Sequence, residues 1–304
     1  MSSTTPSKPP APWGTLQIPK PIQQLFNQFP LLTYPANDLP ARTQALTHST
    51  LPTLYIFTTD EDAASGLPSF NPTCLKYQTL LRLTQTPHRT QPSTNHASPT
   101  GSLPFLIQPQ TSKPIASSQL ITYISQNSPA NTQIPLPSQK EEIYTTLLTP
   151  LRNAFLYTLY LDTKYTRLLD RLYINPSSSS TLVRKTLRYQ LRSAAAASIL
   201  QSKNSNPEAG KESIDEEAIY AEAKEALECL AGELLSREQE GWFFGSEQAG
   251  EFDAGLFGYL HLMLVFMDDD SDRNGLGKMV RRVGGGVLAR FVERVKGFAG
   301  WGDI

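Results

Sequence analysis

Proline divides this chain more sharply than any other residue type. Of its 24 prolines, 21 precede Ser138, whereas residues 140–304 carry 44 of the 55 formal charges. Proline interrupts helices by removing a backbone donor and clashing with the preceding turn, and charged side chains decorate the exposed faces of helices. The asymmetry therefore predicts strands, turns and short helices first and a mostly helical second half. The boundary falls in "NSPANTQIPLPSQKEE", Asn127–Glu142, where Ser138 and Glu141 have the spacing of a capping box that opens a helix.

The 304 residues suffice for two ordinary domains. A net charge of −1 gives no basic domain and argues against a nucleic-acid partner. Two distant cysteines, Cys74 and Cys229, exclude a disulfide scaffold or cysteine-rich zinc site and suit a reducing compartment. The opening "MSSTTPSKPPAPWG" has neither the apolar segment of a secretory signal nor the arginines of a matrix presequence. The most apolar stretch, Phe252–Met267, is 16 residues long and contains Asp253 and His261, too short and too polar to span a bilayer.

In the first half, residues 1–17 read as a disordered tail, followed by an N-terminal extension and a sheet domain over 18–137. Ile22, Leu25, Phe26 and Phe29 share one face of a short helix, with Pro21 in its first turn. "LPTLYIFT", Leu51–Thr58, is a buried strand, followed by a long insertion and then a helix capped by Asn71 with Pro72 in the first turn. "HRTQPST" and "LPFLI" supply two more strands, Lys113–Ile115 a fourth, and Ser117 or Ser118 caps the next helix. Strand, helix, strand, then strand, strand, helix is the outline of a thioredoxin-like domain. That fold explains why "SPTGSLPFLI" runs turn, proline, strand: the third strand is preceded by a proline, often cis, here at Leu103–Pro104. The bond aims the preceding amide and carbonyl into a cleft, where glutathione-binding relatives pair them with the ligand's backbone.

The second half, 138–304, reads as a helical domain with flexible insertions near 203–217 and 268–278. Its first helix places Ile143, Leu147, Leu151, Phe155 and Leu159 four apart, with a kink expected at Pro150. The next carries Arg184, Arg188 and Arg192 as a basic stripe, either a solvated face or a contact for an acidic partner or anionic lipid. A third points Tyr220, Ala223, Leu227, Leu230 and Leu234 inward, with Cys229 beside that face as a small buried hydrophobe. Asp253 lies in the first turn of an apolar helix, three residues after Gly250, and so favours its initiation. "DDDSDRNGLGK" lacks the ligand spacing of a calcium loop and reads as a linker. Leu288, Phe291, Val292 and Val295 form the apolar side of a last helix.

The residues supply little chemistry. Cys74 sits in a first helical turn but has no resolving partner, the four histidines show no metal spacing, and no phosphate-binding or nucleophile-elbow motif occurs. Ser117–Ser118 can match the serine that holds a γ-glutamyl group, but the companion acid is missing. No catalytic, cofactor-binding or metal-binding residue is assigned, partner-binding residues stay unassigned, and no cofactor is expected.

"LPSFNPTCLKYQTLLRL", "NHASPTGSLPFLI" and "GWFFGSEQAGEFDAGLFGYLHLML", together with "FPLLTYPANDLP", resemble the metaxin family, most closely its fungal receptor-type members in the mitochondrial sorting and assembly machinery. The likeness departs at Gly250 and in the polar insertion Lys203–Glu217. The resemblance implies a glutathione-transferase-like fold: α/β plus all-α, a thioredoxin-like N-terminal domain followed by a helical C-terminal domain. It further implies a non-enzymatic peripheral protein on the cytosolic face of the mitochondrial outer membrane. Its partners would be the membrane-embedded barrel subunit, a second metaxin-type subunit and β-barrel precursors, with membrane association through those partners. Its role would be to help recognise precursor sorting signals and support folding and insertion. The alternative is a glutathione-dependent transferase or peroxidase on the same fold.

Overall fold

β1 (Thr53–Ile56) is the spine of a four-stranded sheet, and all four of its residues are buried because strands flank it on both sides. A continuous apolar run, without alternation, is what a strand covered on both faces requires. This is the computed structural model of the chain, and it describes residues 50–109, 113–129, 134–135, 138–203, 214–236, 242–268 and 275–302. The tail over 1–17 and the helix expected around Pro21–Phe29 lie outside the described residues, as do most of the two expected insertions.

After β1 the chain forms α1 (Asp60–Ser65), opened by Thr59 and closed by Gly66 in the left-handed region (φ 68°). The sequence predicts a long insertion here, and α1 lies within it. α2 (Pro72–Leu83) follows, and the Asn71 side chain accepts from the Thr73 and Cys74 amides, as the Asn-Pro pair predicts. β2 (Arg89–Pro92) pairs parallel to β1, while β3 (Phe105–Ile107) pairs antiparallel to it and β4 (Pro114–Ala116) antiparallel to β3. The order is β2-β1-β3-β4. α3 (Ser117–Asn127) closes this half. Its N-cap is Ala116, without a side-chain bond, so the expected serine cap is corrected: both serines lie inside the helix.

The expected long helix from Ser138 is broken. α4 (Gln139–Thr145) starts with the Ser138 hydroxyl accepting from Glu141 N–H, and α5 (Leu148–Leu156) begins after an interruption at Thr146–Leu147. Pro150 explains the place of the break: it cannot donate to the Thr146 carbonyl, and its ring crowds that turn. Ile143, assigned to the inner face, is consequently 63% exposed, while Leu151, Phe155 and Leu159 are buried. Beyond α5 come a widened π turn at Tyr157–Leu161, a short turn, α6 (Thr166–Leu169) and a second π turn at Asp170–Ile174.

α7 (Thr181–Lys203), α8 (Glu216–Leu235), α9 (Glu251–Phe266), α10 (Leu276–Arg282) and α11 (Val287–Phe298) complete the helical half. Asp215 caps α8, so Glu216 and Glu217 are helical, and Leu276–Lys278 belong to α10; both expected insertions are shorter at these ends. Tyr220, Ala223, Leu227, Leu230 and Leu234 are buried as the spacing predicts, as are Leu288, Phe291, Val292 and Val295. Cys229 is exposed, against its expected burial, because one helical step carries it from the apolar stripe to the solvent side.

α2 and α9 join the two halves. Leu75 of α2 belongs to the helical core and Ala254 of α9 to the sheet core. A Cβ on Gly258 would stand 2.7 Å from the Pro72 carbonyl oxygen, so only glycine permits this crossing. At the far end of α2, Arg82 donates to the Gly66 and Ala299 carbonyls (2.6 and 2.9 Å) and stacks 4.7 Å from the Trp301 ring. This ties the last residues of the chain to the sheet half.

Candidate functional site

Thioredoxin-type domains place their chemistry between the start of the helix after β1 and the turn before β3. Leu103–Pro104 is cis, as expected from the sequence. The Leu103 amide, which a glutathione-binding relative offers to its ligand, instead donates to Asn95 Oδ1 at 3.0 Å. Asn95 opens a single 3₁₀ turn (Asn95–Ala97), and Leu103 is 6% exposed. The chain thus satisfies this donor with its own side chain.

The other wall of the site is the N-terminus of α2. Asn71 Oδ1 accepts from Thr73 and Cys74 N–H (3.1 and 3.2 Å), and Asn71 Nδ2 donates to the Tyr173 hydroxyl (3.3 Å). Tyr173 comes from the second π turn of the helical half. Its ring lies edge-on to Phe57 and Phe70, 5.2 Å from each, and 5.9 Å from Tyr160. Burial of its hydroxyl pushes the Tyr173 pKa well above the ordinary tyrosine value, and that of Tyr160 rises to about 12 for the same reason. Tyr173 and Tyr160 of the helical half thus join Phe57 and Phe70 of the sheet half in an aromatic cluster at the N-terminal end of α2, the end that favours a thiolate or an anion.

Cys74 lies beneath this cluster. It is fully buried, and desolvation pushes its thiol up to about 12 in spite of hydrogen bonds to the Phe57 backbone and the Ser69 side chain. At neutral pH it is a protonated thiol and no nucleophile. Ser117 and Ser118, the matches to a γ-glutamyl-binding serine, occupy the first turn of α3, half-buried and exposed respectively. Among the described residues no cluster of three or more His, Cys, Asp or Glu side chains is placed to hold a metal ion, and no helix is long and apolar enough to cross a membrane.

Asn95 and Tyr173 were not legible as site residues. Asn95 stands at the head of a polar turn whose composition predicts a loop, and nothing in its spacing aims it at Leu103. Tyr173 is 102 residues from Asn71 and lies on a stretch read as regular helix. A hollow of about 760 Å³ lies between α1, the end of α2 and β2. It is lined by Asp60, Arg82, His88 and Arg89 among others, and the His88 ring is engaged with the Thr86 carbonyl region at 2.9 Å.

The basic stripe of α7 faces inward along its own chain. Arg188 makes a bidentate pair with Asp170 (2.9 and 2.6 Å), Arg192 donates to the Thr166 hydroxyl (2.8 Å), and Arg184 donates to the Ser178 carbonyl (2.6 Å). The three arginines are half-buried and held by groups of their own chain rather than fully solvated.

Residues 72–165 match the glutathione S-transferase N-terminal domain family. No curated protein sequence matches the chain significantly. Among solved structures, a glutathione S-transferase of Ceriporiopsis subvermispora in complex with glutathione superposes over 81% of this chain and 98% of its own, with a TM-score of 0.51 and 17% identity. A glutathione transferase of Phanerochaete chrysosporium covers 82% of this chain and 97% of its own, with a TM-score of 0.51 and 13% identity. At such identities the likeness concerns architecture. The chain has the glutathione-transferase-like fold, a thioredoxin-type domain with a small sheet followed by a predominantly helical domain.

Proposed function

We propose that this chain is a non-enzymatic peripheral subunit of the mitochondrial outer-membrane sorting and assembly machinery, acting on the cytosolic face. In this reading it sits with an outer-membrane barrel subunit and a second metaxin-type subunit. It helps recognise the sorting signals of β-barrel precursors and supports their folding and membrane insertion. The metaxin resemblance of the three quoted segments supports the assignment to this machinery. The observation that carries the non-enzymatic part is the internally satisfied cleft: Asn95 holds the Leu103 amide and Tyr173 covers the start of α2. With no membrane-crossing helix among the described residues, attachment in this reading runs through the partners.

Affinity purification of the tagged protein from mild-detergent extracts of mitochondria tests the role. Stoichiometric recovery of an outer-membrane barrel protein and a second chain of the same fold is the expected result. Recovery of the protein alone, from the soluble fraction, would overturn it.

The structural likeness to glutathione transferases, one of them solved with glutathione, favours a second reading as a glutathione-dependent transferase or peroxidase. That reading predicts retention on immobilised glutathione and turnover of an electrophilic or peroxide substrate. The Asn95 bond to the Leu103 amide and the Tyr173 contact at Asn71 weigh against it.

A further inference from the structure

His261 stands out among the buried polar groups. It lies on α9, is 8% exposed and stacks on Phe257 with ring centroids 5.1 Å apart. It makes no hydrogen bond to any described residue, and burial, reinforced by the nearby Lys296 charge, pushes its pKa down to about 4. The ring is therefore neutral at physiological pH, with one N–H to donate and one lone pair to fill. His261 lines the adjacent cavity, so its ring nitrogens are open to a ligand that enters it.

The space in front of it is a cavity of about 370 Å³ between α9, α10 and α11. That volume falls within the range of small-ligand sites, ~300–1,000 Å³. Leu264, Val265, Ala289 and Val292 make its apolar walls, and Arg281, Arg290, Lys296 and Glu293 supply its charges. Arg281 is paired with Asp268 at 2.5 Å and Lys296 with the exposed Glu293 at 3.3 Å, while Arg290 donates to the Gly285 carbonyl at 3.0 Å and meets no carboxylate in these bonds. Three cations against two carboxylates leave one net positive charge. A monoanion matches that balance; a dianion such as a phosphate monoester exceeds it. The apolar walls ask for a hydrocarbon body attached to the anion.

We propose that the cavity between α9, α10 and α11 binds a small carboxylate amphiphile, its carboxylate beside Arg290, Lys296 and His261 and its chain on Leu264, Val265, Ala289 and Val292. This site is remote from the Asn95–Tyr173 cleft and stands or falls independently of the role proposed above.

Isothermal titration of the full chain with decanoate, below its micelle-forming concentration, tests this directly. Decanol and inorganic phosphate serve as probes of the apolar and anionic halves alone. Decanoate is expected to bind one-to-one, decanol about tenfold more weakly or less, and phosphate not to compete. Lys296→Gln should weaken decanoate about fivefold, a typical effect of removing one partly exposed charge contact. Glu293→Gln, on a solvent-exposed carboxylate, should strengthen it. Ala289→Leu should abolish binding by filling the cavity; if that variant fails to fold, the two charge variants still decide. Equal affinity for decanol and decanoate, displacement by phosphate, or charge variants within about twofold of the unaltered chain would overturn the proposal.

Discussion

The two cysteines differ in access to solvent, Cys74 being buried and Cys229 exposed, and their environments rather than their sequence neighbours decide which is which. Cys74 sits in the first turn of α2, where a helix terminus lowers a thiol pKa. Complete burial outweighs that effect and holds the thiol at about 12. Cys229 is exposed on α8. A disulfide reagent added to the native protein should therefore titrate one thiol, Cys229→Ser should remove that signal, and denaturation should reveal Cys74. Two fast thiols in the native state would contradict this. Asp253 shows the same competition, and burial again outweighs the hydrogen bonds. Its carboxylate is nearly fully buried and accepts from the Gly250 and Phe243 amides at 2.8 and 3.0 Å. Asp253→Ala would strand both donors and should cost about 2–4 kcal/mol, read from chemical denaturation. Burial raises its folded pKa from 3.8 to about 6. As pH rises the unfolded chain ionises first, so this group's contribution to stability is fully present below pH 3.8 and is lost as pH rises through about 6. Asp253→Asn should flatten that limb of the stability profile; a limb unchanged by the substitution would refute the assignment.

The elements show what sequence periodicity carries and where it stops. β1, α2, α8 and α11 were legible because their burial follows local rules: a continuous apolar run, an Asn-Pro start, apolar stripes of helical spacing. The Ser138–Ile174 segment was only half legible. Its four-residue spacing is real, but Pro150 ends α4 a turn upstream and turns Ile143 out to solvent. The two π turns widen the helix without leaving a composition signal. The arginine stripe of α7 was legible as a stripe and illegible as a contact, because its partners Asp170, Thr166 and Ser178 lie on a preceding stretch whose path the sequence did not fix. Arg188→Gln should lower stability by about 1 kcal/mol, since the Asp170 pair is bidentate but partly solvated. It should leave adsorption to anionic vesicles unchanged. Lost vesicle binding with unaltered stability would restore the lipid-facing reading.

At the scale of the whole molecule, the helical half meets the sheet half in at least three places. The α2–α9 crossing at Gly258 and the Arg82–Trp301 contact fix the halves to one another, and Tyr173 reaches across to close the start of α2. The thioredoxin outline, including the cis bond before Pro104, was legible because the fold itself demands it. The state of the cleft was not, because Asn95 and Tyr173 are brought there only by tertiary structure. The glutathione-transferase-like frame is present, and within it the Leu103 amide is bonded to the chain's own Asn95. Calorimetric titration of the full-length protein with glutathione tests this most directly, with an Asn95→Ala, Tyr173→Ala double variant measured beside it. The account predicts no saturable heat from the unaltered chain at millimolar glutathione. Saturable binding of glutathione by the unaltered chain, as tight as that of the double variant, would contradict it.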